Sequence, residues 1–387
     1  MLRNPIPICI ALALLGTLAF RIQHPAISFY AREILHASAL DIGLLTASFM
    51  IARAISSIVA GWVYRYRSIA KLLPATCFVA NAVVALVYMY VRDVASMILL
   101  RAVQGILNGL AWVTIQVVLG EAAPRNLRAT LYSIYFAVGS MGIALANYVY
   151  SCLSAVSVDP TKLSLAISSL TFVAAALLAL LMPYVEPRKK EGISSRGSLG
   201  LALSIMLFSF SISLAISFPV SEVVYIYVKE VFSMSKSSVT AMLATAMLVA
   251  TIIGLILSMV ADRLSEKLSL MIVAVLMVSG VVAALIDVVY AMAIALTLLL
   301  SISRASISIS RRIAVSRLGP RGVGYVNAAN NIGSVVGSIT IGMLYDAFGA
   351  ARLPLDGVSL SLTLLAFYVP ILIVAMVSIV VVCRYLD

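Results

Sequence analysis

Twelve long apolar stretches, separated by short polar ones, account for almost the whole chain. They run 6–31, 38–64, 69–91, 94–119, 127–155, 162–184, 199–228, 236–261, 268–286, 288–310, 322–347 and 358–383. A bilayer core is crossed by roughly 20 apolar residues in a helix. Within hydrocarbon an isolated strand leaves its backbone groups unsatisfied, so helix is the state that such stretches take. The run Ser301–Ser310 alternates in polarity like a strand, but the same rule makes it helical. Composition agrees: 63% of residues are hydrophobic and 11% are charged, where a soluble domain holds about a quarter charged residues. No small-residue cleavage site follows the first stretch, so it is expected to be a permanent span. The expected fold is an all-α integral membrane protein with twelve transmembrane helices.

The stretches fall into two sets. Tyr30-Ala-Arg-Glu-Ile-Leu-His-Ala-Ser38 returns as Tyr227-Val-Lys-Glu-Val-Phe-Ser-Met-Ser235, at an offset of 197 in a chain of 387. Each copy follows one long apolar stretch and precedes another. The chain therefore divides into two pseudo-symmetric six-helix bundles, 1–184 and 199–387. They are joined by the polar, basic linker 185–198, which holds Pro187, Arg188-Lys189-Lys190 and Gly192. Duplicated bundles of membrane helices mark secondary transporters, whose solute sites lie near mid-membrane.

The formal net charge of +12 follows from topology rather than from nucleic-acid binding. With the N-terminus inside, 17 Lys and Arg residues fall on the cytoplasmic side, 6 on the other, and 4 within spans. Basic residues are enriched in cytoplasmic loops. The expected location is the cytoplasmic membrane, multi-pass, with both termini cytoplasmic. Cys9, Cys77, Cys152 and Cys383 lie in separate apolar stretches without metal-ligand spacing, and read as small buried hydrophobes.

Gly61-Trp-Val-Tyr-Arg65-Tyr-Arg67 follows the second span, and Ser258-Met-Val-Ala-Asp262-Arg263-Leu-Ser-Glu-Lys267 follows the eighth, again 197 apart. Both resemble the loop signature of the major facilitator superfamily, G-x-x-x-D-R-x-G-R-R/K. The second copy keeps the aspartate, the arginine and the final base. The first keeps Gly61 but has Arg65 where the family has aspartate. Arg101-Ala-Val-Gln104-Gly105-Ile-Leu-Asn108-Gly109 resembles the family's R-x-x-Q-G-x-x-x-G on the fourth span. The resemblance covers the whole chain. It implies two bundles around a cavity that opens alternately to each side. It also implies gating roles for Gly61, Arg65, Asp262 and Arg263, and a structural or coupling role for Arg101 and Gln104.

Ionisable groups within spans carry the chemistry, because a charge at mid-bilayer costs about 2.5–3.5 kcal/mol on insertion scales. Arg21 and His24 lie one helical turn apart on the first span. Arg53 lies near the middle of the second, and Arg304 deep in the tenth. Asn108 continues the Arg101 stripe, and Asn330 and Asn331 belong to a polar stripe on the eleventh span. Glu222 is the only acid well inside a span, and at the repeat offset it aligns with Pro25, next to His24. Each of these positions has a structural alternative: a snorkelling arginine, a core histidine, or asparagine joining helices.

Four intramembrane arginines against one glutamate favour an anionic or acceptor-rich solute, since guanidinium forks suit carboxylate and phosphate. Arg21, His24, Arg53, Asn108, Glu222, Arg304, Asn330 and Asn331 are the candidate solute contacts. Protons are the candidate coupling ion, with His24 and Glu222 as the groups able to change charge. The expected function is secondary transport of a small anionic or polar organic solute by alternating access. The alternatives are a proton-coupled multidrug or metabolite exporter of the same superfamily, and a channel or lipid scramblase. The partners expected are a small-molecule substrate and the lipid bilayer, with the protein a monomer and no nucleic acid bound. There is no H-E-x-x-H, no G-x-S-x-G, and only two histidines, His24 and His36. No enzymatic activity, cofactor or metal is therefore expected.

Overall fold

The computed structural model describes residues 4–64, 66–124, 127–186, 199–318, 320–355 and 358–386. Within them, side chains at 61, 62, 68, 128–130, 199, 261, 262, 304, 307, 308, 311, 312, 314–318, 320–325, 355 and 386 are not described. The first half forms α1 (Ile6–Glu33), α2 (Ala39–Val63), α3 (Arg67–Val87), α4 (Val94–Ala122), α5 (Arg128–Val156) and α6 (Pro160–Leu180). The second forms α7 (Leu199–Val220), α8 (Val223–Val231), α9 (Lys236–Arg263), α10 (Glu266–Leu285), α11 (Val289–Leu318), α12 (Pro320–Phe348) and α13 (Leu362–Leu386). A hairpin of β1 (Arg352–Leu355) and β2 (Val358–Ser361) joins the last two helices. Among the described residues ten helices are long and apolar enough to cross a membrane, so the expected count of twelve spans is not reached on them. The outer faces are apolar: Ile58, Leu170 and Val275 are 67%, 70% and 65% exposed. Water would not tolerate such a surface, but acyl chains match it.

The chain forms two compact units. The first holds Met1–Ala37, Ser48–Lys190 and Ser235–Ala244; the second holds Ser38–Ala47, Glu191–Met234 and Thr245–Asp387. In the first unit α1 packs on α5 and α6, and α3 packs on α6 and α4. In the second unit α7 packs on α12 and α13, and α10 packs on α13 and α11. The pairing scheme is the same in both, with each helix exchanged for its repeat partner. The exchanged segments obey the same rule, because Ser38–Ala47 and Ser235–Ala244 lie 197 residues apart.

The repeated sequence motif encodes a repeated turn. His36 and Ser233, also 197 apart, both take left-handed backbone, with φ of 53° and 52°. Tyr30 carbonyl accepts from Ile34 and Leu35 amides, and the Ala37 amide donates to Ala31 carbonyl at 2.9 Å. These bonds satisfy the last carbonyls of α1. The next helix then starts on a reciprocal cap: Ser38 amide donates to Asp41 Oδ2 at 3.0 Å, and Asp41 amide donates to Ser38 Oγ at 3.0 Å. In the second copy the Ser238 amide donates to Ser235 Oγ at 3.1 Å.

Asp346, near the end of α12, adds a second cap to α2. Its carboxylate accepts from the amides of Ala39 at 2.7 Å and Leu40 at 2.8 Å. These are two of the donors that a helix start leaves unpaired, and a negative charge there also favours the helix dipole. Asp346→Ala is expected to cost about 1 kcal/mol, the usual scale of a lost cap. Thermal unfolding of the purified variant measures it, and an unchanged midpoint refutes it.

Three expectations need correction. The seventh span is not one helix: it breaks at Ser221-Glu222 between α7 and α8. Pro219 lacks an amide and its ring crowds the preceding turn, and the Glu222 amide donates to Thr46 Oγ1 at 3.2 Å. The last span begins at Leu362 rather than 358, because Val358–Ser361 pairs with Arg352–Leu355. Arg352 ion-pairs with the buried carboxylate of Asp287 there, and the Asp287 amide donates to Ser359 carbonyl at 3.0 Å. The cysteines are not all buried. Cys9 and Cys77 are, but Cys152 is exposed and Cys383 partly so. On a membrane protein, lipid supplies the apolar surroundings that a core supplies elsewhere. The Ser301–Ser310 run is helical, within α11.

Candidate functional site

In the first unit, α1 and α4 bring their polar residues together. Pairing of α1 with α4 sets Gln23 and His24 against Arg101 and Gln104. Arg101 Nη1 donates to Gln104 Oε1 at 3.1 Å, and the Tyr88 hydroxyl donates to the same oxygen at 3.0 Å. Gln104 Nε2 donates to Gln23 Oε1 at 3.1 Å. The Arg101 guanidinium faces His24 Nε2 at 3.3 Å, and Arg21 Nη1 faces His24 Nδ1 at 3.3 Å. Arg101 is 1% exposed, which makes the packing around it decisive. Its guanidinium lies 5.3 Å from the Phe20 ring centroid and 5.1 Å from that of Phe49. Those rings stack on each other at 4.9 Å, and Phe20 meets His24 edge-on at 4.7 Å. Aromatic faces attract a cation that has been withdrawn from water.

Arg53 lies half-buried on α2, within electrostatic reach of Arg21 and of the Tyr135 phenol. Its carbonyl accepts from the hydroxyls of Ser56 and Ser57. Asn108 is buried one turn beyond Gln104, and its Oδ1 has no hydrogen-bond partner among the described residues. Buried polar atoms are rarely left so without water or a ligand. A groove of about 480 Å³ between α2 and α4 is apolar, lined by Ile51, Ile55, Val59 and Ile106, and suits an acyl chain rather than a polar solute.

In the second unit, Glu222 is buried at the break after α7. The Thr46 hydroxyl donates to its carboxylate. Asn330 Oδ1 accepts from Ser213 Oγ at 3.0 Å, and Asn331 is half-buried beside it on α12. Arg263 is exposed at the end of α9. Gly61 lies in the last turn of α2, Arg65 lies outside the described residues, and the side chains of Asp262 and Arg304 are not described. The geometry thus gathers Arg21, His24, Arg101 and Gln104 into one network, with Arg53 near its edge. It adds Gln23, Tyr88, Phe20 and Phe49 to that network, and in the second unit it sets Thr46 on Glu222; sequence reasoning assigned none of these to a site. Gln23 was findable, being a neutral polar residue next to His24 within a span. The rings and Thr46 carry no such signal.

The Major Facilitator Superfamily profile matches residues 9–218, more than half of the chain, and the protein belongs to that family. Members of the family are transporters, not enzymes, and the chain is a multi-pass membrane protein of that family. No curated protein matches it by sequence. Solved structures do resemble it. A bacterial homolog of the human lysosomal transporter Spinster, inward-facing and occupied, is 14% identical with a TM-score of 0.75, over 98% of this chain and 96% of its own. The nucleoside transporter NupG is 15% identical with a TM-score of 0.68, over 99% and 98%. The human organic anion transporter MFSD10 is 13% identical with a TM-score of 0.62, over 98% and 99%. At such identities the likeness shows the fold.

Proposed function

We propose that the protein carries a small anionic or acceptor-rich organic solute across the cytoplasmic membrane by alternating access. The observation that carries this reading is the buried cluster of Arg21, His24 and Arg101, with Arg53 within reach of Arg21. Guanidinium groups far from water hold carboxylate or phosphate by paired, charge-assisted bonds. One structural relative is itself an organic anion transporter. In this reading Arg21, Arg53 and Asn108 contact the solute, and Asn330, Asn331 and Arg304 serve it from the second bundle. The bundles are 1–184 and 199–387, joined by 185–198, with both termini cytoplasmic and the protein working as a monomer. Gly61, Arg65, Asp262 and Arg263 act at the cytoplasmic gate.

A second reading, a proton-coupled exporter, draws on Glu222. A carboxyl buried at a helix break and bonded to a hydroxyl is a place where a proton can be carried. Counterflow in proteoliposomes separates these readings from a channel or scramblase. A labelled carboxylate or organic phosphate is expected to accumulate, saturably, against unlabelled solute on the opposite side. Flux that neither saturates nor responds to solute on the opposite side refutes a carrier. Uptake that follows an imposed pH gradient and is lost in Glu222→Gln supports proton coupling.

A further inference from the structure

His24 faces an arginine at each of its ring nitrogens: Arg21 at Nδ1 and Arg101 at Nε2, both at 3.3 Å. A neutral imidazole has one lone pair and one N–H, whereas guanidinium N–H groups only donate. In either tautomer, therefore, one arginine finds an acceptor and the other meets an N–H. A protonated ring would set two N–H groups and a third positive charge against both arginines. The two sides are unequal. Arg101 is fixed by Gln104 and by the Phe20 and Phe49 rings, while Arg21 is half-buried at the edge, near Arg53.

We propose that His24 is a tautomeric toggle read by the solute. Without solute the ring exchanges between accepting from Arg21 and accepting from Arg101. An anionic oxygen that engages Arg21 draws that guanidinium away from Nδ1. The ring then settles with Nε2 accepting from Arg101 and Nδ1–H donating to the solute. Arg101 acts as the positioning residue that aims this donor. A ligand that accepts relieves the conflict between the two arginines and a cation does not, so the arrangement selects acceptors over cations. The proposal rests on the reading of Arg21 as a solute contact.

The chain has two histidines, so His36→Asn leaves a single ring to observe. Asparagine is suited to that position because His36 sits at a φ of 53°. Solid-state NMR of the 15N-histidine-labelled protein in bilayers then reports which nitrogen of His24 is protonated. Arg21→Leu is expected to give one tautomer, protonated at Nδ1, and Arg101→Leu the other, protonated at Nε2. The unsubstituted cluster is expected to lie between them and to move toward the Arg21→Leu spectrum when acetate is added. Should Arg101→Leu fail to fold, the comparison of Arg21→Leu with the intact cluster decides. Identical ring signals in those two, a doubly protonated ring, or a spectrum that acetate leaves unchanged overturns the toggle. If anion counterflow persists alongside such spectra, the toggle alone falls. If anion counterflow is itself absent, the reading beneath it falls.

Discussion

Arg53→Ala is expected to weaken saturable anion counterflow strongly, as a loss of apparent affinity for the solute. A hydrogen bond to a charged partner contributes about 1.5–3 kcal/mol. At a factor of ten for about every 1.4 kcal/mol, the half-saturating concentration should rise about 10–150-fold. The helix itself should survive, because the bonds made by residue 53 among the described residues run from the Ser56 and Ser57 hydroxyls to its carbonyl, which alanine keeps. Arg53→Lys is the informative companion. Lysine keeps the charge but loses the planar fork, so it should recover part of the affinity and not all of it. Counterflow titrations of the three proteins, matched for reconstituted amount, measure the effect. An unchanged half-saturation in Arg53→Ala would remove Arg53 from the site.

Gly105→Val is expected to lower stability by about 1–3 kcal/mol, the usual cost of overpacking, and to abolish transport with it. A Cβ at Gly105 would lie 2.3 Å from the Phe49 carbonyl oxygen and 3.0 Å from Ala52 Cβ. The first of these is backbone, so α2 must move away from α4 as a body. That shift would also displace Phe49, one of the two rings that hold the Arg101 guanidinium. Thermal unfolding in detergent and counterflow in liposomes should both report the loss. A normal melting midpoint with normal transport would mean that the close approach of these two helices is not needed.

The same glycine explains why part of the site could be read from the sequence. Arg101, Gln104, Gly105 and Asn108 recur at helical spacing, and the structure gives each a distinct task on α4: cation, acceptor, close approach and buried amide. Arg21 and His24 were placed on one face by their spacing of three, and they do meet. The repeat was legible at Tyr30–Ser38 because a left-handed turn followed by a helix cap tolerates few residue types, and both copies must build it. The interruption of the seventh span was only partly legible: Pro219 is visible in the sequence, but apolar residues resume straight after Ser221-Glu222, and the bond from Glu222 to Thr46 that accompanies the break is a tertiary contact. The strand pair after α12 was hidden because Val358-Ser-Leu-Ser361 runs without a break into the strongly apolar helix that follows, and its pairing with Arg352–Leu355 is set by the turn between them rather than by its own composition. The aromatic platform under Arg101 joins residues 20 and 49 to residue 101, and that is a tertiary fact that no local pattern contains.

A site built around guanidinium groups should hold negative charge in preference to positive. The most direct test is a thermal-shift series on the purified protein with carboxylates, phosphates, sugars and cationic drugs at matched concentration. A ligand that binds only the folded state at 100 times its dissociation constant adds about 2.7 kcal/mol of apparent stability. Carboxylates or phosphates are expected to raise the unfolding midpoint in the intact protein and to do so far less in Arg53→Ala. A midpoint raised by cationic drugs alone would contradict an anion-binding site.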